Sequence, residues 1–149
     1  MNRYTFPYGI RFQEDSRIEV FPAVELSVTG RAGKGIRAVF HIDSGATTSA
    51  LPFGDATVLG LNLKDGKKTL IRGITDVPLI GYRHIVKVQL GSRRLVIPML
   101  FAQLESFPRI LGREGFFSAF GILFDETRQR TGFLDARKER ETLNALLGA

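Results

Sequence analysis

Cysteine is missing altogether from the 149 residues. That excludes a disulfide framework, a thiolate-held metal and a cysteine nucleophile, and it leaves the redox compartment open. Histidine is scarce: His41 and His84 are the only two. They leave little for a histidine-rich metal centre, so no metal is expected. No apolar run is long enough to span a bilayer, so no membrane span is expected in this chain. The start, Met1-Asn2-Arg3-Tyr4-Thr5-Phe6-Pro7, lacks the charged-then-apolar design of a secretion signal, and a cytoplasmic location is the default. A long basic block is lacking too. The net charge is +6, but lysine and arginine are scattered, and the densest groups, Arg93-Arg94, Arg128-Gln129-Arg130 and Arg137-Lys138-Glu139-Arg140, are short or mixed with acids. Nucleic acid is therefore not expected as the main ligand. The glycines of residues 30–35 lack a Gly-Lys-Ser/Thr ending and precede no helix pattern, so they form a turn rather than a phosphate loop. No cofactor is expected.

What is there is the composition of an ordinary globular protein, 44% hydrophobic and 24% charged. The length suits one domain with a substantial core, residues 1–149. Residues 1–17 read as an N-terminal arm, irregular as far as Asp15, with Phe6-Pro7 and Tyr8-Gly9 as turn-like pairs. From Arg17 to Thr29 apolar residues largely alternate with polar ones, the period of a half-buried strand. Ile36 to Ile42 completes a hairpin with it. Phe53 to Leu61 fits a short helical turn or a loop. Thr69 to Arg72 and Leu79 to Leu90 are strands around a long hairpin end, and Arg94 to Phe101 is a strand in which Pro98 marks an edge or a bend. One short helix is expected between Gly112 and Phe120. Ile122 to Thr127 and Arg130 to Leu134 make a last hairpin that closes a core of residues 18–134. A helical extension, residues 135–149, follows, with Asp135 as N-cap, helix from Ala136 to Leu147 and Gly148 past its end. The class is all-β with two helices.

Chemistry concentrates at Val39-Phe40-His41-Ile42-Asp43-Ser44-Gly45-Ala46. Val, Phe and Ile favour a pleated, half-buried surface. The Asp-Ser-Gly-Ala run then turns the chain, where glycine accepts angles that other residues resist. A carboxylate is thereby held at a strand end, with a hydroxyl beside it and little bulk around it. No motif sets a histidine as base next to Ser44, so a serine nucleophile is not expected. His41 sits mid-strand as a core or sheet-face residue rather than a ligand. Phe116, Phe117 and Phe120 read as core.

The ordered set of Phe40-His41-Ile42-Asp43-Ser44-Gly45-Ala46, the glycine-bearing hairpin from Ile71 to Tyr82, and Ile110-Leu111-Gly112-Arg113 resembles the retropepsin-like aspartic proteases, single-domain dimeric relatives of pepsin. The resemblance covers residues 18 to 134. It implies a closed β-barrel or sandwich with a flap hairpin. It implies a homodimer in which one Asp43 from each chain activates a water that attacks a peptide bond of an extended polypeptide. Only one Asp-Thr/Ser-Gly occurs here, so two chains are needed. Two carboxylates that close cannot both ionise and would share a proton. Ser44, Gly45 and Ala46 would support the active-site loop. Gly73, Ile74, Thr75, Asp76 and Val77 would form the part of the flap that closes on substrate. Ile110, Leu111, Gly112 and Arg113 would be structural at the site.

Two departures from the family's pattern matter. Thr47 and Thr48 stand where viral members carry an acid that helps hold the arginine after the glycine. Asp76-Val77-Pro78 is stiffer and more charged than a glycine-rich flap end. These departures motivate an alternative, a catalytically silent dimeric module of the same fold that binds peptide or protein without cutting it. Both Asp43 and Ser44 also have a plain reading as turn residues.

Overall fold

The computed structural model describes residues 3–73 and 76–149. Twelve strands and two α-helices follow in chain order: β1 (Arg3–Pro7), β2 (Gly9–Phe12), β3 (Ile18–Phe21), β4 (Ala23–Thr29), β5 (Gly35–Ile42), β6 (Ser49–Leu51), α1 (Phe53–Val58), β7 (Lys67–Ile71), β8 (Leu79–Leu90), β9 (Arg93–Ala102), β10 (Ile110–Leu111), β11 (Phe120–Asp125), β12 (Arg130–Asp135) and α2 (Arg140–Leu147). The chain is all-β, as its alternating segments imply.

The main sheet runs β4-β5-β10-β6-β9-β8-β7, and β4 pairs back onto β8, which closes a barrel. β8 makes closure possible by its length. Its first half pairs with β7 and its second half with β4, through Ser27↔Gln89 to Thr29↔Lys87. The barrel's inward residues are those that alternation selects. Val24, Leu26 and Val28 of β4 and Ala38, Phe40 and Ile42 of β5 are buried, while Glu25, Arg37 and Val39 point outward. Phe40, Phe101, Phe116 and Phe133 are fully buried, and each such side chain is worth about 2–3 kcal/mol of transfer free energy. Phe116, Phe120 and Phe133 form an aromatic cluster with centroids 5.0 to 6.1 Å apart, which makes Phe116 and Phe120 core as expected.

A second sheet, β1-β12-β11, packs on that cluster, and β2 pairs with β3 as a separate two-stranded ribbon. The irregular N-terminal segment expected from the sequence is therefore corrected: it holds β1 and β2. β1 pairs with β12, from Arg3↔Leu134 to Pro7↔Arg130. Its alternation, with Tyr4 and Phe6 against the core, is only two apolar residues long, too brief to stand out. The continuous strand read from Arg17 to Thr29 is broken at Pro22 into β3 and β4.

Two helix expectations also change. After Gly112 the chain makes successive turns, with Phe116 and Phe117 N–H groups both donating to the Arg113 carbonyl, and no regular helix forms. Gly115 stands at φ +75°, outside helical space. The short helix lies instead at Phe53–Val58. At the C-terminus, Asp135 is the last residue of β12, not a helix cap. Its carbonyl takes the Lys138 and Glu139 N–H groups and its carboxylate takes that of Arg137, so 136–139 is a turn and α2 begins at Arg140. The helix does end at Gly148. Pro98 sits one residue before Met99–Phe101, the part of β9 that pairs with β6, so a single neighbour, β8, flanks it among the described residues. That is a local edge, as a proline requires.

Candidate active site

β10 positions the site. It runs parallel to β5, with Leu111 beside Ile42, and antiparallel to β6, with Ile110 beside Ala50. The chain leaving β5 must therefore loop around the end of β10 before it returns as β6. Asp43 opens that loop. Its N–H donates to the Leu111 carbonyl at 3.0 Å, its carbonyl accepts the Ala46 N–H at 3.2 Å, and its Oδ1 accepts the Gly45 N–H at 2.8 Å. The half-buried carboxylate is thus aimed by its own loop, with one oxygen engaged and nothing bulky near it. A Cβ on Gly45 would lie 3.2 Å from Asp43 Oδ1, so the carboxylate would have to give by a few tenths of an ångström to admit it. Ser44 and Gly45 are exposed, and Ala46 is half-buried.

The loop is clamped to the segment after β10. Arg113 N–H donates to the Ala46 carbonyl at 3.0 Å, and Glu114 N–H to the Thr47 carbonyl at 2.7 Å. Gly112 is buried, and its N–H donates to the buried Ser49 hydroxyl at 2.9 Å. A Cβ on Gly112 would sit 2.6 Å from the Thr48 carbonyl carbon and 2.9 Å from Ser49 N, so no other residue fits this crossing. Leu111 is fully buried beneath it.

Sequence reasoning left several of these contacts unseen. The two threonines in place of an acid are served by Glu114. Its carboxylate accepts the Thr48 hydroxyl at 2.9 Å and Arg83 Nη2 at 2.6 Å. Arg113 is exposed and reaches the Thr47 hydroxyl at 3.5 Å, a weak contact. Below the floor, Arg109 Nε and Nη2 donate to the two oxygens of buried Asp55 at 2.6 and 2.8 Å. That bidentate bond raises the Arg109 pKa above its ordinary value, against partial desolvation. It holds α1 to the approach of β10, where the Arg109 carbonyl accepts the His41 N–H at 2.9 Å. His41 itself stacks on Phe21 at 4.9 Å and is no ligand to the site.

Asp43 opens onto a cleft of about 490 Å³. It is lined by Asp43, Gly45 and Thr47 of the loop, by Leu70 to Gly73, and by Ala50, Leu100 and Ile110. Of the hairpin expected as a flap, Ile71 of β7 and the following Arg72 and Gly73 line the same cleft as the carboxylate. Gly73 lines the cleft, Asp76 and Val77 are exposed beyond it, and Ile74 and Thr75 lie outside the described residues. A cleft of similar size, about 480 Å³, lies against Thr29, Lys87 and Arg94. Its lining brings no carboxylate into it, so the Asp43 cleft is the chemically equipped one.

A closed barrel in which a short inner strand threads between the strand leading to Asp43 and the strand returning from it is a retropepsin-like fold, and this protein has it. A retropepsin-like aspartic protease from Rickettsia conorii matches with a TM-score of 0.57 at 17% identity, over 88% of this chain and 92% of that one. The EIAV protease complexed with the inhibitor HBY-793 matches with a TM-score of 0.46 at 23% identity, over 62% of this chain and 82% of that one. No protein-family model matches the sequence, and no curated protein matches it.

Proposed function

We propose that this protein is an aspartic endopeptidase that cuts extended polypeptides as a homodimer, one Asp43 from each chain forming the catalytic pair. The observation that carries the reading is the Asp43 loop, clamped over Gly112 and opening onto the cleft beneath the β7–β8 hairpin. Two such carboxylates at a two-fold axis share one proton. The ionised one takes a proton from water, and the protonated one donates to the scissile carbonyl oxygen as the water attacks. The hydrogen bond from Gly45 N–H fixes which Asp43 oxygen stays turned into the loop and which faces substrate. The apolar lining of Leu70, Ile71, Leu100 and Ile110 favours apolar side chains flanking the cut, and the hairpin supports the peptide as an added strand.

A peptide-library digest across acid and neutral pH, with and without a pepstatin-type inhibitor, tests this. Wild type is expected to release products that the inhibitor suppresses. Asp43→Asn is expected to lower turnover about a thousandfold or more with an unchanged fold, because an asparagine oxygen accepts the same Gly45 N–H. Undiminished cleavage by Asp43→Asn overturns the assignment. Tight peptide binding by wild type without products would instead identify the silent binding module.

A further inference from the structure

The ribbon β2–β3 has two unlike faces. Its inner face carries Arg11, Glu19 and Phe21. Phe21 is buried, Arg11 lies 5.0 Å over its ring, and Arg11 Nη1 donates to Glu19 Oε2 at 3.4 Å. The outer face carries Ile10, Phe12, Ile18 and Val20. The register sets Ile10 against Val20 and Phe12 against Ile18, so the four form one block, exposed by 63, 76, 61 and 41% respectively. Within the two strands every charge lies on the inner face.

Such a block is unusual on a lone ribbon. An isolated two-stranded ribbon is marginally stable at best in water. The four side chains expose on the order of 400 Å² of contiguous apolar surface, the size that marks an interaction site rather than scattered exposed residues.

We propose that a second copy of this chain covers the block, the two ribbons packing outer face to outer face about a two-fold axis. The inference rests on the reading of Asp43 as half of a two-chain pair, and three observations single out a second copy as occupant. The first is position. The ribbon leaves the barrel at Pro22, whose carbonyl accepts the Ile42 N–H at 2.9 Å, and Ala23 pairs with His41. The ribbon therefore springs from the same barrel end as Asp43, the end that a second Asp43 must approach. The second is charge. Two chains of net charge +6 repel across basic surface, and an uncharged apolar face that matches itself is the contact an isologous pair can make. The third is area. A standard interface buries about 800 Å² per partner. The block supplies about half of that, and the exposed turn at Ser44 and Gly45 adds to it at the same barrel end.

The test is the self-association constant of wild type and of a Phe12→Ser, Ile18→Ser double variant by sedimentation, with peptide cleavage followed over a range of protein concentration. The outer face packs on nothing in its own core, so the variant is expected to stay folded by circular dichroism. Its dimer dissociation constant is expected to rise about 100-fold, with cleavage lost in dilute solution and recovered on concentration. The absence of cysteine supplies a second readout that a misfolded variant cannot obscure. Val20→Cys is expected to give a covalent dimer with a short bis-maleimide, whereas Lys34→Cys, at the far end of the β4–β5 hairpin, is not. An unchanged dissociation constant, no crosslink at Val20→Cys, or a wild type that stays monomeric at every concentration each overturns the inference. The two readings fail separately. A variant that remains dimeric and cuts peptides removes the ribbon and keeps the protease, and a ribbon-dependent dimer that cuts nothing does the reverse.

Discussion

Two glycines serve the site for different reasons: Gly112 is buried under the Asp43 loop, and Gly73 lines the cleft. At Gly112 the limit is space: an added Cβ would stand 2.6 Å from the Thr48 carbonyl carbon and 2.9 Å from Ser49 N, both backbone atoms of a segment tied down by the Arg113–Ala46, Glu114–Thr47 and Gly112–Ser49 hydrogen bonds. At Gly73 the limit is torsion: φ is +92°, and among the described residues an added Cβ would meet nothing within 4 Å. The floor under Asp43 is therefore a packed structure in which atoms are placed by their neighbours. The described part of the hairpin loop is placed by the chain's own angles. A catalytic carboxylate needs the first kind of support, because its oxygen must meet a water at a set distance.

That contrast can be broken at three points, in order of effect. Gly112→Ala should cost about 3 kcal/mol of stability, read as a drop in urea midpoint; a normal midpoint would mean the floor yields where it is taken to be rigid. Asp55→Ala removes the carboxylate that both Arg109 donors use. Arg109 is partly exposed and can turn to water, so the loss should be about 1–2 kcal/mol rather than the larger cost of a stranded buried charge. Faster amide exchange at Asp43 would show that the loss reaches the loop through β10. Gly73→Ala should cost least, about 1 kcal/mol of torsional strain, with the amides of the Asp43 loop unaffected. If Gly73→Ala destabilised as much as Gly112→Ala, the distinction between the floor and the hairpin loop would disappear.

The parts of the site legible in the sequence are those held within a few residues of each other. An apolar run rich in β-branched and aromatic residues announced β5, and a turn followed at Asp43-Ser44-Gly45. Ile110-Leu111-Gly112-Arg113 was expected to be structural at the site, and Gly112 is a glycine of close approach at the end of β10. The contacts that stayed hidden join residues far apart. Glu114 meets Thr48 across 66 positions, and Arg109 meets Asp55 across 54. No local pattern marks such a pair. β6 was hidden for another reason: its three residues are all buried, so alternation, the one signal a strand offers, is absent.

Composition and patterning alone determined that the chain is a mostly β protein without thiol chemistry, with one carboxylate motif at a strand end and a glycine motif to seat it. Those are properties of short segments, governed by side-chain period and backbone preference. Tertiary structure decided the rest. β1 joined β12 rather than hanging loose, the helix after Gly112 gave way to turns, and an acid arrived beside Thr48 from 66 positions along the chain. Each of those outcomes depends on contacts between segments dozens of residues apart, whose energies are set by packing and hydrogen-bond satisfaction that no stretch of sequence carries by itself.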